Sequence, residues 1–149
     1  MIVLPVGAAQ YCLDRLIDSV SPFYHLFVND IQLGPNTTAA DFIEASFAGY
    51  VPLGTGLWAN AYLRQGIVTT LADALTWTCT RLGPLETLYG YWVTDGIDGA
   101  MLWCELASPP LIVVHQAGDQ VQLTPLISLS AQPSVPVEAP LHQRYRRGK

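Results

Sequence analysis

Over residues 8–20 the apolar positions Ala9, Cys12, Leu13, Leu16, Ile17 and Val20 return every three or four residues, with Asp14, Arg15 and Asp18 opposite them. That period predicts one amphipathic helix. It stops near Ser21-Pro22, because proline crowds helical geometry out of the residue before it. The spacing then changes: "FYHLFVND", residues 23–30, is an aromatic and β-branched run closed by Asn-Asp, which predicts a strand entering a loop. "GPNTTAADFIEASFAGY" predicts a turn and a short helical segment. Thr38 sits at the cap with Asp41 three residues on, and Gly49 supplies the stop.

From Tyr50 onward only strand signals remain. "VPLGTGLWANAYL" is interrupted by Pro52, Gly54 and Gly56, leaving one short strand over residues 57–63. Residues 67–71 form a second run. In residues 74–82 the large side chains Leu75, Trp77 and Cys79, with Arg81, alternate with Thr76, Thr78 and Thr80, which places core and solvent on opposite faces. Two more alternating runs flank "DGIDG", residues 95–99, whose two Asp-Gly pairs signal a tight hairpin. After Pro109-Pro110, "LIVVHQ" is a continuous apolar strand. Val121, Leu123, Pro125, Ile127 and Leu129 then alternate in a last long one, where Pro125 predicts an edge or a bulge because it has no ladder donor.

Roughly eight short strands with turn signals every eight to twelve residues predict a mainly β fold. Its expected form is an antiparallel β-sandwich or barrel, jelly-roll-like, with a short N-terminal helix and an extended C-terminal arm. Residues 1–130 form the expected domain. Residues 131–149, "AQPSVPVEAPLHQRYRRGK", have prolines at 133, 136 and 140 and no periodicity, and read as the arm.

Composition sharpens this picture in two places. Charged residues make up 13% of the 149 against 50% hydrophobic, with 12 Gly and 11 Pro, which excludes a disordered chain and a charge-laced bundle and suits a turn-rich β protein that hides surface in an assembly. The net charge of −5 conceals a second feature: Arg144, Arg146, Arg147 and Lys149 crowd the last six positions, leaving Arg15, Arg64 and Arg81 against all twelve acids before them. The body is acidic and the tail basic. Such a body repels nucleic acid, while the tail suits an acidic protein surface or a phosphate backbone.

The search for chemistry gives little. Cys12, Cys79 and Cys104 are isolated and surrounded by apolar residues, which predicts small buried thiols in a reducing compartment and no zinc site. His25, His115 and His142 have no partner at a spacing that sequence alone would pair, and read as structural or solvated. "DGIDG" lacks the further carboxylates of a calcium loop, and "GTG" at 54–56 lacks the third glycine and the helix of a phosphate cradle. The carboxylate pairs Asp41/Glu44 and Asp95/Asp98 sit on turns. Trp58, Trp77, Trp92 and Trp103 are expected in the core by alternation; the competing reading is a sugar-binding face, with Trp58 as its exposed contact. The N-terminal apolar stretch lacks the basic start of a signal peptide, and no run reaches the ~18 residues of a membrane span, so the expected product is intracellular and soluble when made.

The ordered set "HLFVNDI", "ADFIEASFAGYVP", "LTWTCT", "LYGYWVTD", "LWCELASP" and "GDQVQLTPLISLS" resembles a group of small proteins encoded among tailed-phage structural genes. The resemblance covers about residues 8–130 and omits the arm; the DGIDG turn, Cys104 and the basic arm depart from the group's pattern. It implies a virion component of the head or tail with no catalytic residues, not an enzyme. Within that implication the expectation is a capsid decoration, or cement, protein made in the host cytoplasm and carried on the capsid surface. It would bind the major capsid protein and self-associate, as a trimer by analogy with lattice symmetry, with no cofactor, metal, membrane or nucleic acid. The arm residues Arg144, Tyr145, Arg146, Arg147 and Lys149 are the expected contacts. The alternatives are a tail, adaptor or fibre-base component, or a carbohydrate-binding receptor module built on the tryptophans.

Overall fold

The computed structural model describes residues 5–64, 66–107 and 112–130. The first element is helix α1, Val6–Ser19, ended as Val20 turns extended before Pro22. Its buried stripe is narrower than the sequence period suggests. Ala9 and Leu13 are fully buried, but Cys12 and Leu16 lie on the exposed side. Cys12 is therefore a surface thiol, contrary to expectation, because only a stripe of i, i+4 positions meets the sheet beneath. Cys79 is buried and Cys104 half-buried.

Eleven strands follow among the described residues: β1 Pro22–Phe27, β2 Leu53–Gly54, β3 Tyr62–Arg64, β4 Ile67–Leu71, β5 Leu75–Thr78, β6 Glu86–Leu88, β7 Gly90–Asp95, β8 Met101–Leu106, β9 Ile112–Val114, β10 Gln120–Leu123 and β11 Leu126–Ser130. They form four separate antiparallel sheets, in the orders β2-β1-β7-β8, β11-β4-β3, β10-β5 and β6-β9. The protein is thus mainly β with one N-terminal helix, and these sheets do not close on themselves.

The buried side chains gather in three clusters. The largest joins Tyr24, Leu26 and Val93 of the four-stranded sheet to Leu75, Trp77, Val114 and Val121 of the two-stranded ones. Leu75, Trp77 and Cys79 point inward while Thr76, Thr78 and Thr80 face solvent, as the alternation requires. On the opposite face of the four-stranded sheet, Phe27, Phe42 and Trp92 form a second cluster, with the Phe42 and Trp92 rings stacked 5.0 Å apart. Covering both faces explains why neighbouring Trp92 and Val93 are both buried. The third cluster holds α1 on β3, β4 and β11 through Ala9, Leu13, Ala61 and Val68.

Four boundaries differ from the sequence pattern. The strand expected over residues 57–63 forms only at Tyr62–Arg64, while Leu53–Gly54, in the stretch broken by Pro52 and Gly54, pairs with β1. The segment after Thr38 is one 3-10 turn, Ala39–Asp41, with its Thr38/Asp41 capping box formed; Phe42 turns extended and the chain beyond it makes one bridge, Glu44 to Phe27, before a turn at Ala48-Gly49. Val28 N donates to Ile43 O and Ala45 N to Leu26 O, so this stretch borders β1 instead of continuing a helix. The alternating run over residues 88–94 divides at Tyr89, with Leu88 in β6, which pairs β9, and the rest in β7, which joins β1. The long final strand also divides: Thr124 and Pro125 separate β10, paired with β5, from β11, paired with β4. Pro125 lacks the donor a continuous ladder needs, and the chain changes sheets there. Gly90 is required by crowding. A Cβ there would meet the backbone oxygen of Glu105 and the Phe27 ring.

Candidate functional site

Three places bring polar or exposed groups together. The first is a hydrogen-bonded chain on the outer face of β1. His25 Nδ1 lies 2.9 Å from Glu44 Oε1 and Nε2 3.0 Å from Thr94 Oγ1, while the imidazole stacks on Trp92 at 4.7 Å. Tyr50 donates to the same Glu44 oxygen at 2.8 Å and accepts from Leu26 N at 3.0 Å. Burial, with Glu44 beside it, pushes the Tyr50 hydroxyl above its ordinary value, against the opposing pull of the Leu26 amide. With a neutral ring, Nδ1–H donates to Glu44 and the Thr94 hydroxyl donates to Nε2. Hydroxyl, imidazole and carboxylate then stand in the order of a hydrolase triad.

The surroundings favour a structural tie over that chemistry. A triad needs free amides near the hydroxyl to hold an oxyanion. Here Gly96 N donates to Ser21 O, Gly99 N to Asp95 O and Ile97 N to Asp95 Oδ1. The chain instead fastens β1, β7 and the 42–48 segment to one another. The partners of His25 lie 19 and 69 residues away in sequence: the β1–β7 register, His25 opposite Trp92, brings Thr94 close, and the Phe27–Glu44 bridge beside β1 brings Glu44. The two hairpin aspartates are similarly occupied. Asp95 Oδ1 accepts from Ser21 N and Ile97 N, and Asp98 Oδ1 from Ala100 N.

The second place is a polar cleft of about 490 Å³ between α1 and the 56–60 loop, lined by Asp14, Asp18, Leu57, Trp58 and Asn60. Trp58 is half-buried and bridges Ala72, and its indole N–H is buried without a partner among the described residues. This is the one residue of the expected contact set that the described structure places. Arg144, Tyr145, Arg146, Arg147 and Lys149 lie outside the described residues. Trp77, Trp92 and Trp103 sit in or against the buried clusters, so the four tryptophans do not form one sugar-binding face.

The third place is an apolar groove of about 280 Å³ between β8 and β10, floored by Leu26, Leu88, Tyr91 and Ile112. Leu106 and Leu126 stand on its rim, 45% and 53% exposed. Among its described lining residues Glu105 alone is charged, and it accepts a short hydrogen bond from the Tyr91 hydroxyl. Burial, then Glu105, pushes the Tyr91 hydroxyl upward. Beside them the Tyr24 hydroxyl is buried with no partner among the described residues, raised by the same two causes in the same order. Among the described residues no catalytic set converges here. The groove offers shape, apolar surface and one carboxylate.

Comparison with known family models, with curated proteins and with solved structures finds no match to this chain. The functional reading therefore rests on the surfaces themselves and on the sequence.

Proposed function

We propose that this chain is a structural protein of a bacteriophage virion, a capsid decoration or cement protein that binds the outer shell and stabilises it by bridging capsid subunits. The observation that carries the reading is the division of labour between body and arm. The body ties its own polar side chains into internal hydrogen bonds and leaves an open apolar groove with exposed leucines on its rim. The arm combines three prolines with four terminal bases. A rigid β-sandwich body that binds by area, and an extended basic arm that lies along an acidic neighbour, suit a protein whose work is holding others together. Self-association, as a trimer at a symmetry axis, would cover further apolar surface. Tail, adaptor and fibre-base positions use the same surfaces with different neighbours.

The test is co-sedimentation of the purified full chain with empty shells assembled from a tailed-phage major capsid protein. The full chain is expected to pellet with the shells and raise their heat resistance, and a variant lacking residues 131–149 to remain in the supernatant. A full chain that never pellets with shells overturns the cement role; equal pelleting of the shortened chain overturns the role of the arm.

A second reading has its own observation: the Trp58 cleft combines an aromatic ring with Asp14, Asp18 and Asn60, the residue types that hold sugar hydroxyls. Binding on a glycan array that Trp58→Ala abolishes would favour a receptor module. An array with no binding by the full chain removes that reading.

A further inference from the structure

Three local costs meet at the cleft between α1 and the 56–60 loop. Its walls fall within residues 14–18 and 56–60, all of them described, and its volume of about 490 Å³ is that of a small-molecule site. The first cost is electrostatic. Asp14 and Asp18 stand four residues apart on one face of α1, where like charges repel, and Asp18 lies in the last turn, at the negative end of the helix dipole. The helix has no base in that turn, and Arg15 lays its guanidinium over the Tyr11 ring, 5.5 Å from its centroid. The loop adds a third carboxylate, since a Cβ at Gly56 would stand 3.0 Å from Asp73 Oδ2.

The second cost is an unsatisfied donor: the indole N–H of Trp58 is buried without a partner among the described residues. The third is apolar exposure. Leu57, beside Trp58 on the same wall, is 83% exposed. Conflicts of this kind, with no local compensation, gather at functional sites.

We infer that this cleft binds an amino sugar, a glycan residue carrying a charged ammonium group. The inference rests on the receptor reading of the Trp58 cleft and names the class of its ligand. One such ligand relieves all three costs. Its ammonium donates to the carboxylates of Asp14 and Asp18; Asp14 keeps Oδ2 for this, because Oδ1 already accepts from the Ala61 amide at 3.3 Å. The apolar face of the pyranose covers Leu57 and the Trp58 ring. A sugar hydroxyl oxygen accepts from the indole N–H once the indole turns toward the cleft, and Asn60 serves a neighbouring hydroxyl as donor or acceptor.

Other occupants relieve fewer of the costs. A neutral sugar leaves the carboxylates unpaired, and a carboxylated sugar adds a like charge. A lysine side chain supplies the charge but no acceptor for the indole.

The test is calorimetric titration of the full chain at mildly acidic pH, where sugar amines are charged. Its probes are a trimer of β-1,4-linked glucosamine, the N-acetylated form of the same trimer, which lacks the charges, and trilysine, which has charges but no sugar. The glucosamine trimer is expected to bind at least about tenfold more tightly than either of the others. Asp18→Asn, at an exposed position, is expected to remove most of the preference over the N-acetylated trimer with the circular dichroism spectrum unchanged. Trp58→Phe keeps an aromatic ring and loses the N–H, so the fold is expected to stay intact while binding weakens about fivefold. Equal or tighter binding of the N-acetylated trimer or of trilysine overturns the inference, as does wild-type binding by either variant. A full chain that binds neutral or sialylated glycans on an array but not the glucosamine trimer keeps the receptor reading and overturns the amino-sugar assignment. A full chain that binds no glycan overturns both.

Discussion

The groove between β8 and β10 and the cleft beside Trp58 are both open hollows on one small body, yet they are built from opposite materials. The groove is the exposed end of the largest core, where Leu26, Leu88 and Val121 pass from buried cluster to open floor. The cleft lies where the helix-bearing cluster thins out, and its walls are Asp14, Asp18 and Asn60. Apolar floor continuous with a core is held in place by packing and exposes apolar surface to water, so it rewards a partner that covers it. A polar cleft at a helix edge is already solvated, so a ligand there must replace good hydrogen bonds to water.

The largest expected effect separates the two regions through their cores. Trp77→Ala removes a side chain that is 2% exposed and whose indole donates to Val51 O at 2.8 Å. A loss of about 3–5 kcal/mol is expected, read as a lower denaturant midpoint, with the groove lost along with the core that floors it. Equal sensitivity of cleft and groove in hydrogen exchange would break the comparison.

Next in size is Leu13→Ala, on the helix side. Leu13 is fully buried on β4 and β11. A cost of about 2–4 kcal/mol is expected, with hydrogen-exchange protection falling in α1 and around Trp58 while the β7–β8 pair near the groove keeps its own. Loss of protection throughout would show that the clusters act as one unit.

The smallest effect concerns acid. The amides of Gln116 and His115 hold the Asp119 carboxylate below its ordinary value of 3.8, and this turn leads directly into β10. A depressed folded value means the contribution is present above 3.8 and lost as pH falls through the lower folded value. The unfolding midpoint should therefore decline below about pH 4. Asp119→Asn should flatten part of that decline, as should Asp41→Asn, where the Thr38 amide and hydroxyl lower the carboxylate in the same direction. A slope unchanged in both variants would assign the acid response to other carboxylates.

Local pattern predicted much of this structure where burial, turn chemistry and capping act over a few residues. The Leu75–Trp77–Cys79 alternation, the DGIDG hairpin between β7 and β8, the Thr38/Asp41 cap and the helix stop at Ser21-Pro22 all appear as their residues require. The failures share a cause. The 88–94 and 121–129 patterns each read as one strand, since periodicity is blind to a change of partner at Tyr89 or Pro125. "DFIEASF" carries helix-compatible residues, but the edge of β1 captured its backbone. Tertiary pairing overrode propensity there.

The site divides along the same line. Trp58 and the basic arm were legible as unusual residues. The His25–Glu44–Thr94 chain, the unpartnered Tyr24 hydroxyl and the groove with Glu105 on its rim were not, because each joins residues from strands distant in sequence.

What the sequence determined by itself is the class of the fold, the faces of most strands and the opposition of an acidic body to a basic tail. These follow from composition and from the two-residue period of a strand, which need no knowledge of the partner. Only the tertiary structure decided which strands meet, and hence where the sheets stop short of each other and leave a groove. Register and sheet edges are set by contacts between residues far apart in the chain, and no local period encodes them.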